Sequence, residues 1–170
     1  LVDLATEEVQ NQIQFNPCKQ LIRILDLGTG SGAIALAIGF QLKIQNQSNP
    51  IIEILGIDIS SAAIELAKEN ASRLGLTDHV KFSQSHWYDN IPSELKNSVD
   101  LIVCNPPYGE RIGRTAALMA LYRDLGRIYG DTFSGWDGAL ICPDSDLVRS
   151  TGIPFKSQVK FSNGGIRVAL

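Results

Sequence analysis

"LIRILDLGTGSGAIALAIGFQL", residues 21–42, changes physical character twice within one short stretch. Its first seven residues form an apolar run broken only by Arg23 and Asp26, and they read as a buried strand. Glycines at 28, 30 and 32 then punctuate the chain and end the strand in a tight turn. "SGAIALAIGFQL" returns at once to residues that suit a helix. Strand, glycine turn and helix in that order form the opening half of a βαβ unit.

The same order recurs on the C-terminal side. "IIEILGID" (51–58) is a second strand, followed by Ser60 and Ser61 as possible N-caps and a helix over 62–74, where Ile64, Ala67 and Ala71 recur at helical spacing. Gly75 stops that helix. A short strand over 79–84 comes next, then a polar loop, then "VDLIVC" (99–104), a helix from about 115 to 130, and "GALIC" (138–142). Residues 4–14 supply a further helix ahead of the first strand. Five strands alternating with helices argue for an α/β architecture, a parallel sheet covered on both faces with its ligand crevice at the carboxyl ends of the strands. The tail departs from this pattern: "FKSQVKFS", Asn163-Gly164-Gly165 and "IRVAL" read as an antiparallel hairpin, which would bring the sheet to seven strands.

Composition agrees with one ordinary domain over residues 1–170: 44% of the chain is apolar and 19% charged. No run of eighteen apolar residues is present to span a membrane, and the first residues lack a signal-peptide layout, so a cytoplasmic location is expected. Cys18, Cys104 and Cys142 are an odd number without metal-ligand spacing, so reduced structural thiols and no metal site are expected. Residues 1–104 carry 7 basic and 12 acidic side chains, net −5, while residues 105–170 carry 8 and 6, net +2. That basic second half includes Arg111, Arg114, Arg123 and Arg127, which either meet an anionic partner or solvate a loop and a helix face.

Three places carry chemistry. Gly28, Gly30 and Gly32 allow a ligand to approach the backbone at a helix N-terminus, and Gly28, Gly30 and Ala33 also satisfy the looser dinucleotide fingerprint. Asp58, ending the second strand, sits where a carboxylate can accept both hydroxyls of an adenosine ribose, or can simply cap the next helix. These two leave the choice of nucleoside ligand open. The third is "NPPY" (105–108), directly behind a strand. Two prolines fix two φ angles and remove two backbone donors, so neither strand nor helix runs through Pro106 and Pro107. This rigid elbow holds still the Asn105 side chain, the free carbonyls and the Tyr108 ring.

"DLGTGSG", "GIDIS" and "NPPY" at the ends of the first, second and fourth strands resemble the class I S-adenosylmethionine-dependent methyltransferases, over nearly the whole chain. The resemblance implies a Rossmann-like, doubly wound sheet. It implies that Asp26, Gly28, Gly30 and Gly32 surround the methionine part of the cofactor, that Asp58 holds the ribose, and that His86 or Trp87 lies beside adenine. Many relatives are acidic where "QSHWYDN" has His86, so Asp89 or backbone could meet the adenine amine instead; His86 itself reads as a loop residue rather than a catalytic base. In methyltransferases with this motif the acceptor is a conjugated amino nitrogen with a delocalised lone pair. Hydrogen bonds from that amine to the Asn105 side-chain oxygen and the Pro106 carbonyl would turn its lone pair toward the methyl donor while Tyr108 stacks on the flat acceptor. No metal and no covalent intermediate are implied.

The two halves of the chain point to different acceptors. "LVDLATEEV" through "ILDLGTGSGAIALAI" is similar to the glutamine methyltransferases that modify peptide-release factors. "NPPYGERIG", "LYRDLGRIYGDTFSGW" and "KFSNGGIRVAL" resemble the RNA guanine-N2 methyltransferases, the THUMP-associated, UPF0020-like group that acts on ribosomal and transfer RNA. Residues after the elbow shape the acceptor pocket, so RNA is the expected partner and a protein glutamine the alternative. Pro107, Tyr108 and Gly109 would line that pocket, and Arg111 and Arg114 would meet phosphate as a flipped base enters. The near-neutral charge and the absent initiator methionine lead us to expect a fragment, or one domain of a longer chain with an upstream recognition domain.

Overall fold

A computed structural model describes residues 1–45, 50–86, 98–107, 116–132, 137–142, 145–156, 159–163 and 166–169. Helix α1 (Val2–Phe15) precedes β1 (Leu21–Leu27), α2 (Ala33–Gln45), β2 (Ile51–Asp58), α3 (Ser61–Arg73) and β3 (Val80–Gln84). Then come β4 (Leu101–Cys104), α4 (Ala116–Arg127) with a π-helical continuation (Ile128–Thr132), and β5 (Asp137–Leu140). Helix α5 (Ser145–Ser150), β6 (Lys160–Asn163) and β7 (Ile166–Ala169) complete the order.

Strands β1 to β5 form one sheet in the order β3-β2-β1-β4-β5, every pair parallel. Because successive side chains on a strand point to opposite faces, Ile22 and Ile24 of β1 enter one apolar cluster while Leu25 and Leu27 enter another. The first cluster holds Val9 of α1, Ile38 of α2 and Ile64 of α3; the second holds Tyr122 and Leu125 of α4 and Leu147 of α5. Both faces are thus covered, which is why β4 is buried at all four positions. Helix α3 begins and ends where its sequence signals lie. The Ser60 side chain accepts the Ala63 amide at 3.3 Å, and Gly75, at φ 64°, lets the Leu76 amide reach the Ala71 carbonyl at 2.9 Å.

The expected single seven-stranded sheet is corrected here: among the described residues five strands make the parallel sheet, whose order ends at β5. Strands β6 and β7 pair antiparallel with each other as a separate two-stranded sheet. Extended, alternating residues mark a segment as strand but do not specify which edge it joins, and these two four-residue strands satisfy each other. Helix α5 was not legible in the sequence, since six residues give too few turns for periodicity to register.

Neighbouring β1 and β4 lead to opposite faces of the sheet, β1 into α2 and β4 toward α4. In open α/β sheets such a reversal marks the carboxyl edge as the place where ligands bind. At the amino ends, Asp100 closes the pair: its carboxylate accepts the Arg23 amide at 2.8 Å and bridges Lys19 at 2.7 Å.

Candidate active site

The segments that follow β1, β2 and β4 meet at this carboxyl edge. After β1 the chain turns through Gly28, Gly30 and Gly32, all left-handed at φ 70°, 56° and 80°. The amides of Gly28 and Thr29 both donate to the Ile57 carbonyl at 2.9 Å. Two adjacent donors on one strand-end carbonyl pull the loop back over β2. Among the described residues a β-carbon on Gly30 would meet nothing within 4 Å, so this turn borders open space there. On Gly32 it would lie 2.8 Å from the Phe82 ring.

Asp26 is fully buried. Its Oδ2 accepts the Thr29 hydroxyl at 2.7 Å and the Ala35 amide of α2 at 3.2 Å. Its Oδ1 has no partner among the described residues. Burial pushes the carboxyl up to about 6, against the pull of those two hydrogen bonds, with the nearby charge of Asp58 adding to the rise. A buried carboxylate oxygen without a donor is costly, and a cationic ligand would satisfy it.

Asp58 is half-buried, and each of its oxygens accepts one backbone amide: Oδ2 that of Gly30 and Oδ1 that of Ser60, both at 2.9 Å. A carboxylate has about four acceptor positions, so capacity remains for two hydroxyls. The strand-end cap and the ligand-facing carboxylate are therefore compatible roles. His86 is half-buried at the same edge, one residue beyond Ser85, whose amide donates to the Asp58 carbonyl at 3.0 Å.

Asn105 follows Cys104, which is in register with Leu27, so it leaves the sheet beside Gly28. Its Oδ1 is buried and has no partner among the described residues. Pro106 is buried and Pro107 exposed. The Cys104 thiol donates to the Leu27 carbonyl at 3.2 Å, and burial pushes its pKa far up, which removes it as a nucleophile near neutral pH. Trp87, Asp89, Tyr108, Gly109, Arg111 and Arg114 lie outside the described residues.

Asp26, the three glycines, Asp58, His86 and Asn105 thus share one edge. Three residues that sequence reasoning missed support them: Thr29, Gly56 and Phe82. Gly56 carried a usable signal, because a glycine inside an otherwise apolar strand marks a close approach. A groove of about 330 Å³ at the opposite, amino edge of the sheet, lined by α2, β2 and Asp78–His79, contains none of the site residues.

Fold and sequence together place the chain among the methyltransferase domains. The RMKL-like methyltransferase domain (UPF0020) matches residues 7–167, and the chain belongs to that family. Over 118 residues it is 33% identical to the ribosomal RNA large subunit methyltransferase K/L of Shewanella amazonensis, a match covering 69% of this chain and 16% of that protein. Over 109 residues it is 45% identical to the release factor glutamine methyltransferase of Haemophilus influenzae, covering 64% of this chain and 35% of that one. The crystal structure of SMU.472, a putative methyltransferase complexed with SAH, shares the fold with a TM-score of 0.70 at 22% identity, over 87% of this chain and 46% of that one. The chain therefore spans less than half the length of each of these proteins. Among the described residues no helix is long and apolar enough to cross a membrane.

Proposed function

We propose that the carboxyl-edge cluster binds S-adenosylmethionine and directs its methyl group to an exocyclic amino group, the acceptor being guanine N2 of ribosomal or transfer RNA. The observation that carries this reading is the buried Oδ1 of Asn105, which has no partner among the described residues. A neutral acceptor oxygen orients a weakly nucleophilic amine, whereas a general base would be a titratable group.

The residues present fit the cofactor. Asp26 Oδ1 would receive the methionine ammonium, the loop from Gly28 to Gly32 would pass against the methionine part, and Asp58 would accept the ribose hydroxyls. His86 or Trp87 would lie beside adenine. When bound, the sulfonium supplies an already activated methyl group. The protein's remaining task is orientation at ~3 Å approach. Asn105 Oδ1 and the Pro106 carbonyl would accept the two amine protons, and Tyr108 would stack on the acceptor ring. Once alkylated the nitrogen is strongly acidic and its proton passes to water.

The RNA acceptor is supported by the family match, which runs through the elbow to residue 167, and by the net positive second half. Pro107 and Gly109 would shape the pocket, and Arg111 and Arg114 would contact phosphate. The second reading, methylation of a protein glutamine, is favoured by the 45% identity to the release-factor enzyme. Both acceptors are planar amines, so Asn105 serves either. Calorimetric titration of the intact protein with S-adenosylhomocysteine and with NAD tests the cofactor assignment. One-to-one binding of the first without comparable binding of the second is expected; tight NAD binding would overturn it.

A further inference from the structure

Phe82 lies on β3, a strand that carries none of the three motifs, and its side chain is nearly buried. Glycines from two other elements border its ring. A β-carbon on Gly32 would lie 2.8 Å from Cζ. On Gly56 it would lie 2.6 Å from both Cδ1 and Cε1, and equally close, at 2.6 Å, to Thr29 Oγ1. Gly56 has no positive φ, so its requirement for glycine is steric alone. The ring thus fills a slot that two missing side chains leave beneath the loop. Thr29 borders the same slot while its hydroxyl holds Asp26 at 2.7 Å.

We propose that Phe82 is a positioning residue for the cofactor: its ring buttresses the 28–32 loop from below and so sets the geometry of the loop face that borders open space at Gly30. The inference rests on the reading of this loop as the cofactor site. It goes beyond that reading by assigning control of cofactor affinity to a residue that need not touch the ligand.

The test uses Phe82→Leu, Phe82→Met, Gly56→Ala and the Phe82→Leu/Gly56→Ala pair in the intact protein. Two readouts are taken: titration with S-adenosylhomocysteine, and amide hydrogen exchange of Gly28, Thr29 and Gly30 without ligand. Phe82→Leu should keep its circular dichroism spectrum and cooperative unfolding, bind roughly 10-fold more weakly, and exchange those three amides roughly 10-fold faster with Ile24 and Leu25 unchanged. Phe82→Met, nearer in volume, should retain affinity within about threefold. Gly56→Ala, which forces the ring and Thr29 apart, should weaken binding at least as much. The narrower leucine should relieve that clash, so the pair should lose less than the product of the single losses. Folded Phe82→Leu with unchanged affinity and exchange, or losses that multiply in the pair, would overturn the proposal. If the unmodified protein binds no S-adenosylhomocysteine, the cofactor reading fails by itself, and the exchange rates alone decide whether Phe82 holds the loop.

Discussion

Gly30 donates its amide proton to Asp58 Oδ2 at 2.9 Å, so the carboxylate that ends β2 also anchors the loop that follows β1. Asp58→Ala should remove the anchor together with the proposed ribose contact and weaken cofactor binding by roughly 2 to 4 kcal/mol. Asp58→Asn should fall between, since its amide has one oxygen for the two backbone donors of Gly30 and Ser60. Calorimetry reads both, and unchanged affinity in the alanine variant removes Asp58 from the site.

Asp26 gives a pH-dependent prediction with a definite sign. Its carboxyl is pushed up to about 6 in the ligand-free fold, chiefly by burial, above the ordinary aspartate value of about 4 in an unfolded chain. The fold therefore binds a proton that the unfolded chain has already released. That contribution to stability is complete below about pH 4 and is lost as pH rises through 6, on the order of 3 kcal/mol in all. Asp26→Asn cannot ionise. Relative to the unmodified protein it should gain stability between pH 4.5 and pH 7.5 in urea unfolding, while its cofactor affinity falls at least ~10-fold through loss of the ammonium partner. A stability difference that does not change with pH contradicts the assignment.

Substitution of Asn105 tests whether the proposed chemistry can be separated from cofactor binding. Asn105→Ala leaves the glycine loop and Asp58 intact, so turnover should fall ~100-fold or more with cofactor affinity within a few-fold. Asn105→Asp keeps an acceptor oxygen and should lose less. Parallel losses of affinity and turnover would make Asn105 a structural residue.

The parallel sheet, and the gathering of the three motifs at its carboxyl edge, were legible because their signals are local. Apolar runs, glycine turns and the double proline each act within a few residues. What stayed hidden depends on contacts between distant segments. The 2.6 Å approach that forbids a side chain at Gly56 involves Phe82 and Thr29, each twenty-six or more positions away. The separate pairing of β6 with β7 likewise depends on which edge satisfies which, not on how extended either strand is. Asp58 shows the intermediate case. Its place at a strand end was readable, but its grip on Gly30 required the fold.

Arg111 and Arg114 test the RNA reading by salt dependence. If each contacts phosphate, neutralising either one should weaken RNA binding and make the log–log salt slope shallower by about 0.7 to 0.9. Methyl transfer at saturating RNA should persist. Slopes identical to that of the unmodified protein would exclude phosphate contact by these two residues.

The most direct measurement gives the intact protein labelled S-adenosylmethionine with ribosomal RNA, transfer RNA and peptide-release factor in separate reactions, then identifies the labelled group after digestion to nucleosides or amino acids. Label is expected on N2 of guanine in RNA, falling ~100-fold or more with Asn105→Ala. Label on a glutamine side chain, with none on RNA, would contradict the RNA reading.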